Sequence, residues 1–84
     1  MSKAQKLLER FLSISADFSW EELVSLLRHF GFQEMQQKGG SYRCFRSGTL
    51  KIFLHKPHPA NIVKRYALRQ VRDKLLEFGL ISNL

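Results

Sequence analysis

Apolar residues recur at helical spacing through Trp20, Leu23, Val24, Leu27 and Phe30, which predicts a helix stopped by Gly31. Two signals mark its start. Ser19 followed by Glu22 has the form of a capping box, and Phe18 with Leu23 has that of a hydrophobic staple. Upstream, Leu7, Leu8, Phe11 and Leu12 form the apolar side of a shorter helix that Ser2 can cap, with Ser13 to Asp17 as a linker. Downstream the period changes to two, and three strands are predicted at about residues 32–37, 41–46 and 49–55. Glycine-containing turns join them, Lys38-Gly39-Gly40 first and Ser47-Gly48 second. In the third strand Leu50, Ile52 and Leu54 alternate with Lys51, Phe53 and His55. In the second, Arg43 and Phe45 share one face, while Tyr42, Cys44 and Arg46 share the other.

Pro57 and Pro59 make the stretch from His55 to Asn61 a loop. Asn61 is positioned to cap a last helix over about residues 62–79, ended by Gly79. On its wheel Val63, Ala67, Val71, Leu75 and Phe78 lie opposite a stripe of Arg65, Arg69 and Arg72, with Leu76 and Lys74 out of pattern. The expected fold is α+β: one domain over residues 1–84, a three-stranded antiparallel sheet packed by helices on one face, and residues 1–19 as a helical extension.

Composition narrows what such a fold is for. The 84 residues carry a net charge of +7, but residues 38–74 hold ten Lys or Arg against the single acid Asp73. Clustered positive charge is the footprint of a polyanion binder, either nucleic acid or an acidic protein partner. A solvated basic surface is the plain alternative. Cys44 is the only cysteine, which excludes an internal disulfide framework and fits a reducing compartment. No apolar run approaches the roughly 18 residues needed to span a bilayer, so a cytoplasmic location without membrane contact is expected.

Several local motifs occur in a meaningful order. They are Leu26-Leu27-Arg28-His29-Phe30-Gly31-Phe32, Lys38-Gly39-Gly40-Ser41-Tyr42, Phe45, Pro57-His58, and Val71 to Ile81 ending in Gly-Leu-Ile. In that order and spacing they resemble the HicA (YcfA-like) family of bacterial toxin–antitoxin systems, over about residues 20–81. The resemblance implies a fold like the double-stranded-RNA-binding domain and cleavage of single-stranded messenger RNA without metal or cofactor. It also implies neutralisation by a HicB-like antitoxin protein. The family's usual catalytic histidine directly follows the Gly-Ser of the turn, and Tyr42 stands at that position here.

Metal-free RNA cleavage needs a base for the 2′-hydroxyl proton, an acid for the leaving oxygen and positive charge near the phosphate. An imidazole, titrating near about pH 6.5, serves either proton role, whereas a phenol near about pH 10 is a poor base at neutrality. Tyr42 can instead donate to a phosphate oxygen, act as the acid, stack on a base, or simply fill the sheet surface. His58, between two prolines, matches the family's loop histidine, and Tyr42 with His58 is the expected catalytic pair, meeting over one spot. His58 and His55 can equally tie the loop to the last helix. Lys38, Gly40, Ser41, Arg43, Arg46, Lys51, His55 and Lys56 are the expected RNA-binding set, with Tyr42 and Phe53 able to stack on unpaired bases. Part of that basic surface can instead receive acidic groups of the antitoxin. His55 and His58 alone do not make a zinc site. Two other functions stay open: an RNA-binding module of the same fold without catalysis, and a pure interaction protein whose basic face holds an acidic partner.

Overall fold

The computed structural model describes residues 3–35, 42–58 and 60–82. The elements run α1 (Lys3–Leu12), α2 (Trp20–His29), β1 (Gln33–Met35), β2 (Tyr42–Ser47), β3 (Leu50–His55) and α3 (Arg65–Glu77). This is the α+β order expected. The predicted Ser2 cap and the Lys38-Gly39-Gly40 turn lie outside the described residues. Among the described residues no helix is long and apolar enough to cross a membrane.

The helix signals act as their chemistry requires. The Ser19 hydroxyl accepts from the Glu22 N–H at 3.2 Å, and the Glu22 carboxylate accepts from the Ser19 N–H at 3.0 Å. Phe18 and Leu23, the staple, are both fully buried. At the other end Gly31, with φ +91°, lets the Phe32 N–H reach the Leu27 carbonyl and its own N–H reach that of Arg28. Gly79, with φ +74°, closes α3 in the same way, through Leu80 to Leu75 and its own N–H to Leu76.

Three helical expectations need correction. α3 begins at Arg65, with Lys64 as its N-cap and no side-chain capping bond, not after Asn61. The reason is a long-range pairing that holds residues 61–63 extended. Asn61 accepts from the Trp20 N–H at 2.9 Å, Val63 donates to the Phe18 carbonyl at 2.8 Å, and Ile62 bridges to Ser19. The Asn61 side chain donates to the Glu21 carboxylate instead of capping α3. Second, Leu12 is exposed, because Phe11 is the buried centre of α1 and Leu12 lies about 100° round the helix from it, further than Leu7 or Leu8. Third, Leu26 and Leu68 are fully buried although neither stood in the predicted stripes. α2 is covered by α1 on one side and by the sheet on the other, which widens its buried arc, and the buried line of α3 runs through Leu68, Val71 and Leu75.

The sheet order is β1-β2-β3, antiparallel throughout. Ser47 pairs with Leu50, so the turn residues are Gly48 and Thr49, one position later than predicted. That shift decides cross-strand partners. A turn at Ser47-Gly48 sets Tyr42 opposite Phe53, whereas the observed register sets Tyr42 opposite His55 and Cys44 opposite Phe53. Phe45, Ile52 and Leu54 face inward and join residues of all three helices in one buried cluster. Tyr42, Arg46, Lys51, Phe53 and His55 stand on the outer face, which no described helix covers.

α1 is fixed by more than apolar contact. Arg10 hydrogen-bonds the carboxylates of Asp17 and Glu22, and its guanidinium lies 5.4 Å from the Phe18 ring centroid. The Asp17 carboxyl is held below its ordinary value by the Ser15 hydroxyl and then by Arg10. For Glu22, burial opposes the charge but is outweighed by the Ser19 N–H and hydroxyl and by Arg10, so its carboxyl also falls below the ordinary value. Both groups bind protons more readily in the unfolded chain. Their stabilisation is complete above the ordinary carboxylate range and is lost as pH falls through it towards the lower folded values. Urea midpoints measured below about pH 5 should therefore decline with acid, and less steeply in Arg10→Met. Equal slopes for the two proteins would contradict this coupling.

Candidate nucleic-acid interface and catalytic site

The outer sheet face is built by strand alternation. Once Phe45, Ile52 and Leu54 are committed to the core, period two forces Tyr42, Arg46, Lys51, Phe53 and His55 outward. Tyr42 lies nearly parallel to Phe53, with ring centroids 5.7 Å apart and an interplanar angle of 18°. It also meets His55 edge-on at 4.8 Å and 65°. Tyr42 and Phe53 are 41% and 49% exposed, so they offer a two-ring surface to solvent without a protein ligand on it. Cys44, two residues along β2 from Tyr42 and directly opposite Phe53, is buried.

Arg46 and Lys51 are direct cross-strand partners, both exposed, and neither makes an ion pair with a described residue. Like charges facing each other across a sheet destabilise it unless an anion comes between them. Arg43 is different. It lies on the face opposite Tyr42, pairs with Glu34 at 3.7 Å and donates from Nη1 to the Tyr42 carbonyl at 3.0 Å. Lys38, Gly40 and Ser41 lie outside the described residues.

His58 is exposed in the loop after β3 and makes no hydrogen bond to a described residue. It lines a cavity of about 250 Å³ together with His55, Lys56, Lys64 and Tyr66. No acidic side chain is among the lining residues. Lys64, Tyr66 and Ala67, at the start of α3, form another wall. Tyr42 and His58 share no hydrogen bond or ring contact among the described residues. His55 is the group common to both surroundings, touching the Tyr42 ring and lining the His58 cavity.

Lys64 and Tyr66 are two residues of this site that the sequence did not mark out. Their position next to the proline-flanked loop was the available signal, but it was obscured by the expectation that the helix began at residue 62. His29 stays apart, its ring 5.9 Å from Phe30 at the end of α2. Arg65 and Arg69 are exposed on α3, whereas Arg72 bonds Asp73 at 3.4 Å. Among the described residues no group of three or more His, Cys, Asp or Glu is arranged to hold a metal ion.

A family model described as the HicA toxin of bacterial toxin–antitoxin systems matches residues 20–79, the stretch from the start of α2 to the glycine that closes α3. No curated protein and no solved structure matches the chain.

Proposed function

The chain belongs to the HicA toxin family of bacterial toxin–antitoxin systems, and on that premise we propose that it is an endoribonuclease that cuts messenger RNA without a metal ion. A HicB-like antitoxin holds it inactive, with acidic groups meeting part of the same basic face. The observation that carries the reading is that Arg46 and Lys51, exposed and without an ion pair among the described residues, share one sheet face with the rings of Tyr42 and Phe53 and the imidazole of His55. Arg46 and Lys51 receive phosphates, Tyr42 and Phe53 stack on unpaired bases, and Tyr42 can donate its hydroxyl to a phosphate oxygen. His58, in its restricted loop, transfers a proton, and Lys56 and Lys64 offset the charge that builds on the phosphate.

Induced expression should arrest growth and shorten transcripts, and co-expression of the antitoxin encoded beside the chain should reverse both. Normal growth with intact transcripts would overturn the ribonuclease reading. One observation favours a second reading, a non-catalytic RNA-binding module: the phenol of Tyr42 occupies the usual histidine position, and its ring stacks on Phe53 as a base platform does. That module would bind RNA with an affinity falling by a slope of about −0.7 per phosphate contacted as salt rises, and would leave the RNA uncut.

A further inference from the structure

We propose that His55 is a second proton-transfer group of this site, working with His58 as an acid–base pair, an inference that rests on the ribonuclease reading above. Two independent features of the geometry point to it. The first is how His55 is held. It ends β3 on the outer face, its backbone fixed by pairing with Tyr42, and its ring is braced edge-on by the phenol at 4.8 Å. A strand-borne imidazole braced in this way keeps its direction better than one on a free loop. The second is what it faces. His55 and His58 line one cavity with Lys56 between them in sequence, wide enough at about 250 Å³ for a phosphate and part of its sugars.

The reaction then needs no further component. The ribose 2′-oxygen attacks phosphorus, forming the O2′–P bond, and gives its proton to the neutral imidazole of the pair. The P–O5′ bond breaks, and the other imidazole, entering protonated, gives its proton to the departing 5′-oxygen. The products are a 2′,3′-cyclic phosphate and a 5′-hydroxyl, with one proton taken up, one released and no change in oxidation state. A lone imidazole would have to be base and acid in the same pass. Two imidazoles in opposite protonation states avoid that conflict, and the tyrosine at the turn is then free to position and stack. Among the described residues, the titratable and charged groups around His55 are Tyr42, whose ring it touches, and Lys56, His58, Lys64 and Tyr66, which line the same cavity. A pair that must hold opposite protonation states gives a bell-shaped pH–rate profile whose two limbs belong to the pair.

The test is single-turnover cleavage of a single-stranded RNA in EDTA, from about pH 5 to about pH 9, with His55→Ala, His58→Ala, the double variant and His29→Gln. Each single variant of the pair should cut at least about tenfold more slowly and lose one limb of the bell. The double variant should be no more than a few-fold slower than the slower single, because the two act as a unit. His29→Gln should match the wild type. His55→Ala that keeps the wild-type rate and both limbs overturns the pairing while leaving the ribonuclease intact. A wild type that leaves RNA uncut overturns the ribonuclease reading itself, and this inference with it. Ring NMR signals supply a second measurement: a non-cleavable 2′-O-methyl oligoribonucleotide should shift both His55 and His58, and a silent His55 would count against the pair. Circular dichroism of the variants checks that each remains folded.

Discussion

Replacing His58 by alanine is expected to lower RNA cleavage by at least about tenfold and by as much as 10²–10⁴, the range that positioned proton-transfer groups contribute. The fold should be untouched. His58 is exposed, makes no hydrogen bond or ion pair to a described residue, and leaves no buried polar group unsatisfied when removed. RNA affinity should fall far less than rate, because Arg46, Lys51, Tyr42 and Phe53 remain in place to hold the substrate. A drop in kcat with nearly unchanged KM is the signature of a group used only in the transition state. An equal loss of binding and rate would instead make His58 a phosphate contact, and an unchanged rate would remove it from the chemistry.

The largest stability effect is expected outside the stretch that matches the family. Phe11 lies on α1, before residue 20, yet is fully buried and packs against Phe18 with ring centroids 6.0 Å apart. Phe18 is itself the staple of α2, and its carbonyl holds Val63 in the extended segment that leads into α3. α1 thus closes the core from a side that the matched residues leave open. Phe11→Ala should cost about 3–5 kcal/mol, through lost burial and the cavity left behind. Domains of this size have about 5–15 kcal/mol in all, so the variant should unfold at a much lower urea concentration than the wild type. A loss below about 1 kcal/mol would make α1 a detachable extension and not part of the core.

What was legible in the sequence was local. Ser19 with Glu22, Phe18 with Leu23, and the glycines at 31 and 79 each act through atoms within a few residues, so spacing alone located them. Alternation in β3 likewise fixed which face Phe53 and His55 occupy, and hence that Tyr42 and Phe53 share a surface. What escaped depended on distant partners. Residues 61–63 are too short a run for the β-branched Ile62 and Val63 to mark a strand; they are extended because Phe18 and Trp20 supply the hydrogen-bonding partners. Ile14, just past α1, has φ 54° in the left-handed region, where a β-branched residue is costly; its N–H bonds the Phe11 carbonyl and its side chain packs against the core. The site escaped in part for the same reason. A one-residue difference in where the β2–β3 turn closes changes the partner of Tyr42 from Phe53 to His55, which also lines the cavity beside His58. The burial of Leu26 and Leu68 belongs here too, since a wheel does not show how many sides of a helix will be covered.

The proposed function requires the outer face of the sheet and the adjoining loop both to hold and to cut RNA. The most direct measurement is incubation of the purified protein with an end-labelled single-stranded RNA in excess EDTA, followed by analysis of the new termini. The expected result is shortened RNA ending in 2′,3′-cyclic phosphate, formed by wild type and strongly reduced in His58→Ala. RNA that stays full length, or fragments that wild type and His58→Ala produce at the same rate, would contradict it.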